Sequence, residues 1–145
     1  MAIPLRDRIL SKVVLGTHQF LYERTGGRVG SSLAGRPMLL LRTVGAKTGQ
    51  PRTAALLYVR DGDDYAVIAS KGGDVRNPGW YHNLKAQPDV ELQVGTATIA
   101  ARASIAEGDQ RARLWAAADE VNKGQYTAYQ SRTDREIPVV VLTPR

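Results

Sequence analysis

A chain of 145 residues suits one domain with a single core, and its 43% hydrophobic residues are ordinary for a globular fold. The absence of cysteine excludes disulfides, thiolate metal sites and a cysteine nucleophile. The net charge of +6 indicates an anionic partner, but the charges are dispersed and no nucleic-acid-binding motif is present, which argues against nucleic acid. No run approaches the ~18 apolar residues of a transmembrane helix, and a cytoplasmic location is expected.

Residues 1–27 are expected to hold an N-terminal amphipathic helix, from Pro4 to about Arg24. Apolar residues recur there at helical spacing, and Gly26-Gly27 end the pattern. Two placements of this helix stay open. It packs on the domain that follows, or it lies peripherally on the inner face of the membrane, where its basic side chains would meet anionic lipid.

Residues 28–145 are expected to form a single domain, which begins with a Gly/Ser-rich connector at Arg28–Gly35. Strand patterns follow at Met38–Val44, Ala54–Arg60, Tyr65–Ser70, Val90–Val94, Thr96–Ser104 and Ile137–Thr143. Helix patterns occupy Asn77–Ala86 and Glu107 to about Tyr129, with Asn77 as a candidate N-cap and Pro78 at the first helical position. Because short turns join consecutive strands, we expect an α+β fold in which an antiparallel sheet curls into a small barrel with two helices outside.

The loop between the first two predicted strands has the features of an anion site. Gly45 and Gly49 allow the backbone to approach a ligand closely, while Lys47 and Arg52 supply positive charge on either side of the Thr48 hydroxyl. Such a loop can hold a phosphate. The alternative is an ordinary basic hairpin loop with common turn residues.

A second polar and aromatic segment spans Ser70–Asn83. Lys71 ends a predicted strand and two glycines precede a helix start, where unpaired N–H groups attract anions. Trp80 and Asn83 lie one helical turn apart and can present a flat apolar surface beside an amide, which suits a planar heterocycle. The alternative is that Trp80 anchors the helix in the core and that Lys71 is solvated.

The end of the long predicted helix carries Tyr126 and Tyr129, which could line a pocket or simply pack with their hydroxyls in water. Other chemistry is not legible. The phosphate-binding P-loop and dinucleotide glycine patterns are absent, no serine triad is visible, and His18 and His82 lie far apart without metal-ligand spacing. No metal is expected.

Four motifs in register resemble the deazaflavin (F420)-dependent nitroreductase family. They are Gly-Ala-Lys-Thr-Gly-Gln-Pro-Arg at 45–52, Ser-Lys-Gly-Gly at 70–73, Asn-Pro-Gly-Trp-Tyr-His-Asn-Leu at 77–84, and the segment from Tyr129 through Val140. The resemblance covers nearly all of the chain from Met38 onward. It implies a split β-barrel of the FMN-binding type that binds coenzyme F420, a deazaflavin with a phosphodiester-linked polyglutamate tail.

The resemblance also implies roles for individual residues. Those implied to contact the phosphate, the tail or the deazaflavin are Lys47, Thr48, Gly49, Arg52, Ser70, Lys71, Trp80 and Asn83. Tyr126 and Tyr129 would line the substrate side as catalytic residues, and one of them would give a hydrogen bond or a proton to the acceptor. Hydride would pass from reduced F420 to a quinone, a nitroaromatic or an enone.

Alternatives to this reading remain at the level of the sequence. An FMN-binding split-barrel oxidoreductase and a non-catalytic F420 carrier are both compatible with a basic barrel, and a homodimer is plausible from its apolar faces. The chain departs from the family pattern at Ala46, Ala55, Asn122 and Lys123. These departures bear on the identity of the acceptor more than on binding of the cofactor.

Overall fold

The computed structural model of the protein describes residues 32–33 and 36–145, so the predicted N-terminal helix lies outside the described residues. The strands in the described part are β1 (Ser32–Leu33), β2 (Arg36–Val44), β3 (Pro51–Leu57), β4 (Val59–Asp61), β5 (Asp64–Ile68), β6 (Asp89–Val94), β7 (Ala97–Ile105) and β8 (Val139–Pro144). The helices are α1 (Gly79–Ala86), α2 (Gly108–Val121) and α3 (Gln125–Gln130), with a 3₁₀ turn at Lys71–Gly73. None of these helices is long and apolar enough to cross a membrane.

All strand pairings in the described part of the chain are antiparallel, as predicted. β2 pairs with β1, β3 and β6, and the sheet continues from β6 through β7, β8 and β5 to β4. The edge strands β3 and β4 are separated along the chain by Tyr58 alone. Because that single residue joins opposite edges, the sheet must curl to bring β3 and β4 near each other at Tyr58, which makes an open half-barrel.

The predicted strand Ala54–Arg60 is therefore wrong as one element. Its first part pairs with β2 and its second part pairs with β5, and Tyr58 turns between them while its N–H donates to the Pro37 carbonyl. The hairpin predicted at Asp61–Asp64 is confirmed, with Gly62 at φ +61° in its turn.

The sheet is buried on both faces at β5 and at Val139–Leu142 of β8, where successive side chains point to opposite sides. In β5, Tyr65 and Val67 belong to a cluster that also includes Leu84 of α1. Ala66 and Ile68 belong to a second cluster, which packs against α2 and α3. α1 therefore packs on one face of the sheet, and α2 with α3 packs on the other.

The single helix predicted from Glu107 to about Tyr129 is wrong in its continuity. Lys123 at φ +57° and Gly124 at φ +80° are left-handed and end α2. A new helix then begins, where the Asp119 carboxylate accepts hydrogen bonds from the N–H and the hydroxyl of Thr127. Tyr126 and Tyr129 therefore lie on a separate short helix.

The start of α1 also differs from the prediction. Pro78, not Asn77, occupies the N-cap position, with extended backbone at φ −65° and ψ 154°. The Asn77 side chain accepts a hydrogen bond from Arg135 instead, at 2.8 Å. Within the predicted connector, Ser32–Leu33 pairs with Arg36–Pro37 as a short strand.

Candidate functional site

A cavity of about 530 Å³ lies between the β2–β3 hairpin and α1. The described residues that line it are Gly45, Ala46, Lys47, Thr48, Arg52, Thr53, Ala54, Gly79, Trp80, His82 and Asn83. The two segments that sequence analysis singled out as separate site candidates therefore contribute to a single cavity.

The β2–β3 loop has a compact backbone. The Gly45 N–H donates to the Gln50 carbonyl at 2.8 Å, and the Gly49 N–H donates to the Gly45 carbonyl at 2.9 Å. A Cβ at Gly45 would lie 2.7 Å from the Thr48 hydroxyl oxygen, so a side chain there would push Thr48 away. Thr48 Oγ1 in turn accepts from the Gln50 N–H at 3.2 Å. These contacts hold the backbone from which the Lys47 and Thr48 side chains project.

The amide of Asn83 ties this loop to α1. Its Oδ1 accepts from the Ala46 N–H at 2.9 Å, and its Nδ2 donates to Thr43 Oγ1 at 3.1 Å. The side chain is only 9% exposed, so both bonds are made away from bulk water, where an unpaired amide would be costly. Asn83, which was predicted to face the ring of a ligand, therefore joins the two walls of the cavity by hydrogen bonds.

The cavity is positively charged. Lys47 and Arg52 are exposed, and no described residue that lines the cavity is acidic. Neither cation forms an ion pair with another described residue, whereas Arg42 pairs with Glu91 at 3.2 Å. Two cations without an ion-pair partner in the described part of the chain, beside a hydroxyl and a glycine loop, suit a phosphate or a carboxylate.

Trp80 satisfies both interpretations drawn from the sequence. Its half-buried ring packs against the first core cluster, which anchors α1, and it also lines the cavity. His82, to which sequence analysis gave no role at the cavity, lines the same wall and is exposed. The signal in the sequence that could have placed His82 at the cavity is its position within the 77–84 motif, two residues after Trp80.

Ser70 and Lys71 lie in the loop that precedes α1 and are not among the described residues lining the cavity; neither is Gly49. Lys71 is exposed and left-handed at φ +45°, an uncommon conformation for a residue with a Cβ. The Ser70 carbonyl accepts a hydrogen bond from Arg135 at 2.7 Å. Sequence analysis did not single out Arg135, although it lies inside the 129–140 motif.

The two tyrosines of α3 lie apart from the lining of this cavity. Tyr126 is 6% exposed within the second core cluster, and this burial raises the pKa of its phenol, an effect to which Tyr129 adds. Tyr129 is half-buried, and its hydroxyl donates to Gln125 Oε1 at 3.2 Å. The Tyr126 and Tyr129 rings pack edge to face with their centroids 6.3 Å apart.

Comparison with known proteins identifies the family. Residues 15–144 match the family model described as F420H(2)-dependent quinone reductase. The chain belongs to this family. It is 52% identical over 142 residues to the F420H(2)-dependent quinone reductase of Mycobacterium tuberculosis, a match that covers 96% of this chain and 95% of that protein. The resemblance drawn from the four motifs is confirmed, as is membership of a family of F420-dependent reductases.

Two solved structures agree with this assignment. The F420H2-dependent reductase FDR-A superposes with a TM-score of 0.67 at 42% identity, over 74% of this chain and 94% of that one. A protein described as a domain-swapped dimer gives a TM-score of 0.69 at 36% identity, over 96% and 99% of the two chains. The family member described here thus has the curled antiparallel sheet of FDR-A.

A glycine in the loop before α1 gives a direct test of its packing. Gly73 has φ +83°, and a Cβ there would lie 2.6 Å from the Tyr129 carbonyl oxygen. We expect Gly73→Ala to lower the free energy of unfolding in urea by more than Gly62→Ala. Gly62 is the matched control, since it also has a positive φ, of +61°, but has open space around its Cβ position. Gly62→Ala should therefore lower the free energy of unfolding only by the roughly 1–2 kcal/mol that a left-handed conformation costs a residue with a Cβ. Equal losses in the two variants would show that this loop does not pack tightly on α3.

Proposed function

We propose that this protein binds coenzyme F420 in the cavity between the β2–β3 hairpin and α1, and that it catalyses hydride transfer from the reduced cofactor to a quinone. The observation that carries the proposal is that one cavity contains the partly exposed Trp80 and two cations that form no ion pair with another described residue. Family membership supports the same cofactor and the same class of reaction.

The cations match the anionic part of the cofactor. Lys47 and Arg52 would hold the phosphodiester as charged donors, with Thr48 and the loop N–H groups beside them. Ser70 and Lys71, in the loop that leads into α1, are proposed to meet the carboxylates of the tail together with the backbone at Gly49. This arrangement explains the positive charge of the cavity without any nucleic acid.

The wall formed by α1 matches the ring system. Trp80 offers a flat apolar surface at the cavity. Its position is fixed by packing against the first core cluster and by the hydrogen bond from the Ala46 N–H to Asn83, one helical turn away. We propose that Asn83 acts chiefly through this tether, because its Oδ1 and Nδ2 are both already hydrogen-bonded. A rigid wall would orient the ring against the acceptor, which is what hydride transfer requires of a protein.

The bound cofactor supplies the hydride, and the protein has no need of a nucleophile. A quinone that accepts a hydride gains two electrons and must also gain a proton to become a neutral hydroquinone. We propose that α3 faces the acceptor and that Tyr129, a half-buried residue, gives the hydrogen bond or the proton. Tyr126 would act as a neutral hydrogen-bond donor, since a phenol is protonated at neutral pH and burial raises the pKa of this one further.

Three finer points belong to the same proposal. The acceptor is a small conjugated molecule, with quinones first and nitroaromatics and enones as further members of the class. The enzyme works in the cytoplasm, with its N-terminal segment against the inner face of the membrane or on the domain. We also propose a homodimer, for which the solved relative described as a domain-swapped dimer is the support.

A fluorescence titration of the purified protein with F420 tests the proposal, with FMN and NADPH as parallel ligands. We expect saturable binding of F420 alone, followed by F420H2-dependent reduction of menadione. Binding of FMN alone would keep the fold and overturn the cofactor. Binding of F420 with no reduction across quinones and nitroaromatics would replace the enzyme with a carrier.

The role of the hairpin cation is tested in the same titration. We expect Lys47→Ala to weaken F420 binding by about 1.5–3 kcal/mol, roughly 10-fold to 150-fold, because a charged donor to the phosphate is lost. Lys85→Ala is the matched control, since it removes the same charge from α1 at a residue that does not line the cavity. Equal weakening in the two variants would reduce the role of Lys47 to a general electrostatic contribution.

The tyrosines of α3 are tested by turnover. We expect Tyr129→Phe to lower kcat for menadione reduction by roughly tenfold or more while F420 affinity changes little, because the acceptor loses its hydrogen-bond or proton donor. Tyr126→Phe tests the buried neighbour in the same assay. Tyr58→Phe is the control, since it makes the same chemical change in the first core cluster. Unchanged kcat in both α3 variants would make the pair structural.

A further inference from the structure

A single guanidinium holds the loop that precedes α1. Arg135 Nε donates to the Asp74 carbonyl at 2.8 Å, and Nη2 donates to the Ser70 carbonyl at 2.7 Å. Nη1 donates to the Ala69 carbonyl at 3.2 Å and to Asn77 Oδ1 at 2.8 Å. All four acceptors belong to residues 69–77, so the planar fork of this side chain spans the whole loop.

The backbone of Arg135 is itself held in place by α3. Gln130 Nε2 donates to the Arg135 carbonyl at 2.7 Å, while Gln130 Oε1 accepts from the Ile137 N–H at 2.9 Å. The Arg135 N–H donates to Thr133 Oγ1 at 3.3 Å. The guanidinium therefore projects from a segment that is braced on both sides, and it connects α3 to the loop before α1.

The loop needs such an anchor, because its backbone is not a regular element. Lys71, Gly72 and Gly73 are left-handed in succession, at φ +45°, +63° and +83°. Lys71 has a Cβ and loses about 1–2 kcal/mol by this conformation, so surrounding contacts must maintain it. Within the loop, two short backbone bonds close the turn, from Gly73 N–H to the Ser70 carbonyl and from Asp74 N–H to the Lys71 carbonyl.

The position of this loop decides the position of one wall of the cavity. Residues 69–77 lead through Pro78 directly into α1, whose first residues, Gly79 and Trp80, line the cavity. Arg135 does not line the cavity itself. We therefore expect Arg135 to affect a ligand in this cavity through the loop that it holds.

We propose that Arg135 is a positioning residue, which fixes the 69–77 loop and so preorganises Lys71 and the Trp80 wall for the bound cofactor. The part that concerns the cofactor rests on the proposed function; the part that concerns the loop does not. The role demands arginine, because lysine carries the charge but cannot present several donors in one plane to four acceptors.

The test compares Arg135→Gln and Arg135→Lys with Arg111→Gln in the full chain. Arg111 is a matched control, since it also donates to a backbone carbonyl, that of Ile137 at 2.7 Å, and pairs with Glu136 at 2.9 Å. Its loss removes the same charge without touching residues 69–77. Folding of each variant is checked by circular dichroism, and should Arg135→Gln fail to fold, Arg135→Lys serves for the test.

The first readout is amide hydrogen exchange, measured by mass spectrometry without any ligand. We expect both Arg135 variants to speed exchange in peptides covering 69–77 by about tenfold or more, because several bonds from a charged donor are lost, while β2 and β6 keep their protection. Arg111→Gln should leave this loop unchanged. The inference is overturned if the loop is already unprotected in the wild-type protein. It is also overturned if the loop exchanges at the same rate in the Arg135 variants as in the wild-type protein.

The second readout is F420 affinity by fluorescence titration. We expect the Arg135 variants to bind about tenfold more weakly or worse, and Arg111→Gln to bind within about twofold of wild type. If the wild-type protein binds F420 and the Arg135 variants bind it equally well, the positioning role is wrong while the proposed function stands. If the wild-type protein does not bind F420, the proposed function fails and the exchange experiment alone decides the role of Arg135 in the loop.

Discussion

The burial of both faces of the curled sheet at β5 and β8 is the constraint on which the rest of this structure depends. Tyr58 joins the two edge strands, so the sheet must curl, and alternate side chains of β5 and β8 then enter two separate cores. Each core needs its own cover: α1 closes the first, and α2 with α3 closes the second. Because Leu84 holds α1 against the first core, the helix lies where its Trp80 and Asn83 can face the β2–β3 loop.

Polar contacts then turn this arrangement into a site. Hydrophobic burial is non-directional and cannot alone set the distance between a loop and a helix. Asn83 sets that distance for the β2–β3 loop, because it accepts one hydrogen bond and donates another. Arg135 in turn donates hydrogen bonds to the loop that leads into α1. Both side chains are engaged before any ligand arrives. Such preorganisation suits a reductase in which the cofactor carries the chemistry and the protein supplies orientation.

Much of the fold could be predicted because its signals are local. The apolar runs near Met38–Val44 and Tyr65–Ser70 and the Asp61–Asp64 turn marked strands and a hairpin that the structure contains. The predicted elements differ from the structure where pairing between distant segments determines the end of a strand or helix. Residues 54–60 look like one strand, yet their two halves pair with different partners. The break at Lys123 and Gly124 is not visible in the sequence, because helical spacing continues on either side of it. The Asn77 side chain accepts from Arg135, a residue 58 positions away, and such a distant contact is not legible from local sequence.

The sequence by itself determined the basic charge, the glycine-bearing loop with Lys47 and Arg52, and the motifs that identify the family, because each depends on residue identity and short spacing. Only the tertiary structure decided which of these residues share a cavity. Lys47 and Trp80 lie 33 positions apart and line the same space, whereas Lys71, nine positions before Trp80, is not among the described residues that line it. The reason is physical: the antiparallel sheet and the Asn83 tether bring distant segments together, whereas Lys71 lies in a left-handed turn outside the described lining.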